Sequence, residues 1–212
     1  YVLGVIEELR LLDLVSHGFD AVIDGNLNLG AGLSSSAALE TATTLALQSL
    51  FDFEMSRVDV ATLCQRVEHR YANVMCGIMD QFASGLGRSN HALLLDCRTL
   101  SHVNIPTNLD KYRIVIISSE VKRELTSSAY NERRGQCEEG VASLRQFDPS
   151  IASLRDVTPD LFDAYGDQLS KIVFQRCRHV ITENARVLDA SAALAADAVS
   201  YTHLRAHETL LY

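Results

Sequence analysis

The run Gly30-Ala31-Gly32-Leu33-Ser34-Ser35-Ser36-Ala37 constrains this chain more than any other stretch, because two glycines and three hydroxyls lead directly into a helix-forming segment. Glycine permits tight turning and close backbone approach. Serines at a helix start bring cap oxygens and exposed N–H groups at the positive end of the helix dipole. Residues Gly30, Ala31, Gly32, Leu33, Ser34, Ser35 and Ser36 are therefore the candidate phosphate cradle, in which a metal ion has to supply most of the positive charge. Other familiar loops are excluded by the same residues. A Walker A loop needs a lysine after its last glycine, and the first lysine here is Lys111. Ser35 stands where a Rossmann turn has its third glycine, and Ser36 where a nucleophile elbow closes on glycine.

With 47% hydrophobic and 22% charged residues in 212, the chain has the composition of a globular protein holding one large core or two small ones. Its apolar runs, such as Ala92 to Leu95 and Ile114 to Ile117, are strand-sized and too short to span a bilayer. A net charge of −8 argues against a nucleic-acid surface and for Mg²⁺ wherever a nucleotide is handled. The five cysteines are scattered and include no C-x-x-C pair, which suggests neither a zinc site nor a disulfide framework. Reduced thiols of this kind fit a cytoplasmic setting.

Periodicity predicts a helix over residues 1–16 with Val2, Ile6, Leu9 and Leu12 near one face, then a short strand through Val22 and Ile23. After the serine loop, Leu39, Ala42, Ala46 and Leu50 keep helical spacing. A further helix over 56–74 carries the stripe Val60, Cys64, Val67, Tyr71 and Val74, with Glu68 at its edge. Strands are expected near 91–97 and 112–119, each apolar enough for an interior sheet. Pro106 to Asp110 separates them and marks the candidate boundary between two lobes. Helices follow near 127–147, 158–165 and 168–197, the last with Ile172, Val180, Val187 and Leu194.

Four more blocks accompany the loop in order: Cys76-Gly77-Ile78-Met79-Asp80-Gln81, Leu94-Leu95-Asp96-Cys97-Arg98, Tyr130-Asn131-Glu132-Arg133-Arg134 and Thr182-Glu183-Asn184-Ala185-Arg186. Together the five blocks resemble the GHMP kinases, and within that superfamily the galactokinases, from about Tyr1 to about Ala198. The resemblance implies an α+β, two-lobed fold with a ribosomal S5 domain 2-like N-terminal lobe over 1–108 and an incomplete ferredoxin-like C-terminal lobe over 109–198. Residues 199–212 depart from the family and read as vector-derived sequence. The implied activity is transfer of the γ-phosphoryl group of ATP to the anomeric hydroxyl of galactose, giving galactose 1-phosphate and ADP. A kinase for N-acetylgalactosamine or arabinose, or a catalytically idle galactose sensor, stays open as an alternative.

The resemblance also implies roles. Gly30 to Ser36 would meet ATP, Ser36 and Glu68 would hold Mg²⁺, Asp80 would be the catalytic base facing the sugar, and Tyr130 would contact the sugar. Read without it, Ser34 to Ser36 are a simple N-cap and Glu68 a flanking ion-pair residue. Asp80 is then a first-turn carboxylate satisfied by its helix dipole, and Tyr130 a core aromatic in line with Cys137, Val141 and Leu144. Arg133 and Arg134 could reach phosphate or lie on a solvated face, and Asp96 is expected to be structural. Asn28 occupies a position where the family usually has proline, which loosens the loop entrance. The family's first motif, with its arginine, and its glycine-rich third motif are both absent from this sequence, so the chain alone is expected to be inactive and prone to aggregate.

Overall fold

The computed structural model describes residues 1–27, 32–107, 114–117 and 126–196, without the side chains of 126–129. Gly30 and Ala31 of the cradle, Asn28, and the tail 199–212 lie outside the described residues. The described chain is α+β, mainly helical with a two-stranded sheet, and divides into two compact units.

The first unit takes in residues Tyr1–Asn104 and is built on four helices: α1 (Val2–Arg10), α2 (Ser35–Leu50), α3 (Arg57–Tyr71) and α4 (Met79–Leu86). Val5 and Leu9 of α1 pack with Leu47 of α2 and Leu63 and Val67 of α3, each burial of that size contributing about 1.5–3 kcal/mol. Gly4 allows α1 to approach α3 closely, since a Cβ there would stand 2.6 Å from Val67 Cγ1 and 3.0 Å from the Tyr71 ring. Glu8 is buried in the same contact and accepts hydrogen bonds from Arg66 Nε at 3.0 Å and Arg70 at 2.8 Å. Burial opposes its ionisation, but the two guanidinium groups outweigh that and hold its carboxyl below the ordinary carboxylate range. On the other side, Ala61 of α3 and Phe82 of α4 form a core with Ile78, Leu93, Leu95 and Leu100. The last three belong to or adjoin the hairpin of β1 (His91–Leu95) and β2 (His102–Pro106), whose short link rules out a parallel crossover. Asp96 closes that link by accepting from the N–H groups of Arg98 and Thr99.

The second unit, from Ser128 onward, holds α5 (Thr126–Leu144), α6 (Pro159–Tyr165) and α7 (Lys171–Ala195) around Leu144, Ile151, Leu154, Phe162, Val173, Cys177 and Ile181. Thr158 caps α6 by accepting from Leu161 N–H, with Pro159 at the first helical position. Arg134 pairs with Glu138 one turn on, as a solvated helix face allows.

Several expectations fail for identifiable reasons. The first helix ends at Arg10, and Val22 and Ile23 form no strand; Val22 is 98% exposed. Ile114 to Ile117, the described part of the expected second interior strand, is likewise irregular and 64–87% exposed. Strand preference needs a neighbouring strand and a covered face, and neither run has them among the described residues. Three predicted helix faces are also rotated. In α1 the buried residues are Gly4, Val5, Glu8 and Leu9; in α2 they are Ala37, Glu40, Thr41, Thr44 and Leu47; in α7 they are Val173, Cys177 and Ile181. Polar residues sit on the inner faces of α1 and α2, so an apolar stripe could not locate them.

Gly4→Ala is expected to lower stability by about 1–3 kcal/mol through overpacking against Val67 and Tyr71. Gly135→Ala, in open space within α5, should instead gain up to about 1 kcal/mol. Urea denaturation of both variants checks this; equal stability of Gly4→Ala and the parent would contradict the close approach.

Candidate active site

The described end of the glycine-serine loop has two left-handed residues, Gly32 at φ 74° and Ser34 at φ 54°. Serine at that φ is strained by about 1–2 kcal/mol, and backbone of this kind builds anion-holding concavities. Ser34 is the N-cap of α2, yet its hydroxyl makes no cap bond, contrary to the simple N-cap reading. Ser56 shows the alternative: in extended conformation it caps α3 by accepting from Asp59 N–H at 3.1 Å. The left-handed turn at Ser34 thus leaves the first-turn N–H groups of α2 without a cap from the Ser34 hydroxyl.

One turn into α2, Ser36 and Glu40 lie on the same face. Ser36 is half-buried, whereas Glu40 is fully buried with neither carboxylate oxygen hydrogen-bonded among the described residues. Glu68 of α3 is also buried and lies within electrostatic reach of Glu40. Burial, followed by the charge of Glu68, pushes the Glu40 carboxyl up to about 8, and the terminal ammonium of Tyr1 opposes the shift.

Cys76 links these groups to α4. Its carbonyl accepts from Gln65 Nε2 at 3.1 Å and from a ring N–H of His69 at 2.9 Å, both on α3. Its thiol receives Gln81 Nε2 at 3.8 Å. Burial and then the charge of Glu68 raise that thiol to about 11, with Glu40 and Asp80 adding to the effect. The segment before α4 is thereby pinned to α3, which sets Asp80 in the first turn of α4, half-buried and in the same electrostatic neighbourhood as Glu40 and Glu68. Gln81 is buried beside it with Oε1 unpaired among the described residues.

The donors suit a hard divalent ion. Ser36 and buried Glu40 on one face of α2, with buried Glu68 of α3 within electrostatic reach, offer oxygen ligands, and Mg²⁺ commonly takes only one or two carboxylates with the rest from phosphate and water. Among the described residues no three His, Cys, Asp or Glu side chains are grouped to hold an ion unaided. A groove of about 480 Å³ lined by Leu27, Ser34, Thr41, Leu45 and Ser84 opens largely on the other side of α2, by its 100° per residue rotation from Ser36 and Glu40.

Residues 1–88 match the GHMP kinases N terminal domain. The crystal structure of Lactococcus lactis galactokinase complexed with galactose superposes with a TM-score of 0.81 at 35% sequence identity, over 92% of this chain and 51% of that one. Residues 1–88 thus form a GHMP kinase N-terminal domain, and the chain has a galactokinase-like fold. It spans about half the length of that relative. Within this GHMP kinase N-terminal domain, Ser36, Glu68 and Asp80 come from three helices that pack on one another, α2, α3 and α4. Tyr130 belongs to the second unit, where it is 43% exposed, so the core-aromatic reading does not hold. No helix among the described residues is long and apolar enough to cross a membrane.

Glu40 was not singled out in the sequence, and Cys76 and Gln81 entered only as members of their motif. A signal for Glu40 was present, since it is the single charged residue of α2.

With divalent ions chelated, stability should fall as pH rises from about 5 to above 8. A carboxyl with a raised folded-state pKa stabilises fully below its unfolded value and loses that contribution through the folded one. Glu40 faces Glu68, Cys64 and the Tyr1 ammonium in this region. Glu40→Gln should flatten the decline in melting temperature, and an unchanged slope would contradict the assignment.

Proposed function

We propose that this chain carries the phosphate-holding and acceptor-activating part of an ATP-dependent sugar kinase, whose acceptor is the anomeric hydroxyl of galactose. The observation that supports it best is the convergence of Glu68 and Asp80, from different helices, on Cys76, beside a helix whose N-cap Ser34 gives its N–H groups no side-chain cap. In this reading the residues Gly30 to Ser36 hold the triphosphate through backbone amides, and Ser36 and Glu68 hold Mg²⁺. The ion, when bound, supplies positive charge to the phosphates that this acidic chain lacks. Asp80 orients the anomeric hydroxyl and accepts its proton at a carboxylate oxygen as the new O–P bond forms and ADP leaves. Its attachment through Gln81 and Cys76 keeps the carboxylate from drifting away from the acceptor. Tyr130 contributes a hydroxyl to the sugar.

In the full-length protein, Asp80→Asn should lower galactose-dependent ADP release by about a hundredfold or more, with ATP affinity unchanged. Unchanged turnover would remove Asp80 from the chemistry. Turnover compared across galactose, N-acetylgalactosamine and arabinose should be highest with galactose. Faster turnover of another sugar would reassign the substrate, and sugar binding without any turnover would leave a sensor.

A further inference from the structure

We propose that Glu40 is an additional ligand-bearing residue of the cation site, so that a divalent ion beside Ser36 and Glu68 is also held by Glu40, directly or through one bound water. The inference rests on the cation site of the proposed kinase and extends it to a residue on a different helix from Glu68.

Three observations carry it. Glu40 is fully buried, and both of its oxygens lack a hydrogen-bond partner among the described residues, an arrangement that is costly for a carboxylate unless a cation or a proton joins it. It lies one turn after Ser36 on the same face of α2, which directs it to where the loop delivers its hydroxyls. Glu68, also buried, acts on it electrostatically, and two like charges in a low-dielectric site are stabilised together by an ion placed between them. Among the described residues, the basic side chains nearby do not take that role. Helix α2 has none, and Arg66 and Arg70 are engaged by Glu8. The terminal ammonium of Tyr1 favours the ionised form of Glu40 without hydrogen-bonding to it.

Mn²⁺ uptake by the full chain, followed by loss of the free-ion electron paramagnetic resonance signal, tests this in the parent, Glu40→Gln and Glu68→Gln. Both variants should bind Mn²⁺ about ten- to a hundredfold more weakly than the parent. Melting in EDTA should show Glu40→Gln no less stable than the parent, so the loss is not unfolding. If Gln is not accommodated, Glu40→Met, neutral and of similar volume, carries the same expectation. Parent-like Mn²⁺ affinity in Glu40→Gln with weakened binding in Glu68→Gln would overturn the role of Glu40 and leave the kinase reading standing. Parent-like affinity in both variants, or no uptake by the parent, would overturn this proposal together with the assignment of the ion to Glu68.

Discussion

Two carboxylates, Glu40 and Glu68, are buried close to each other where three helices of the first unit meet, and the described residues give neither a guanidinium partner. A folded chain does not hold such a pair cheaply, since desolvation penalises each charge and mutual repulsion adds to it. The fold keeps them apart from its own cations by geometry. Arg66 and Arg70 project from the face of α3 opposite Glu68 and close on Glu8, so the positive charge of that helix stabilises the α1 contact. The proposed ion would lie against this acidic face.

The rest of the site follows from how that face is framed. Ser34 turns left-handed instead of capping α2, which keeps the first-turn amides available to an anion. Cys76, tied to α3 through its carbonyl and to Gln81 through its thiol, fixes the entry to α4 and hence Asp80. The proposed phosphate-holding amides, the buried carboxylates and the candidate base therefore come from successive helices of one packed unit. This is the arrangement that phosphoryl transfer needs, because most of its catalysis is positioning and charge stabilisation.

Motifs carried the family and most of the helices; hydropathy alone misplaced several faces. The stripe in α3 was legible at Val60, Cys64 and Val67, which are apolar and buried together, but Tyr71 is exposed and Val74 lies past the helix end. In α2 the inner face is Ala37, Glu40, Thr41, Thr44 and Leu47, three of them polar, and Thr44 tolerates burial by bonding back to the Glu40 carbonyl. An apolar template therefore selected Ala42 and Ala46, which face outward. Ile114 to Ile117 read as an interior strand for the same reason that they are exposed here: apolar content records what a segment can bury, and pairing depends on a neighbour that local sequence does not specify. Glu68 was expected at the edge of its stripe and is buried. Cys76 and Gln81 gave no sequence signal beyond their motif, because their part is played by hydrogen bonds between helices.

The central claim is that carboxylates from α2, α3 and α4 surround a single ion-and-acceptor site. Crystals of the chain grown with Mn²⁺ and a non-hydrolysable ATP analogue, measured at the manganese absorption edge, test it most directly. The account predicts one anomalous peak beside Ser36, Glu40 and Glu68, with the Asp80 carboxylate facing the terminal phosphate. A peak elsewhere, with Glu40 and Glu68 still buried and without an ion, would contradict it.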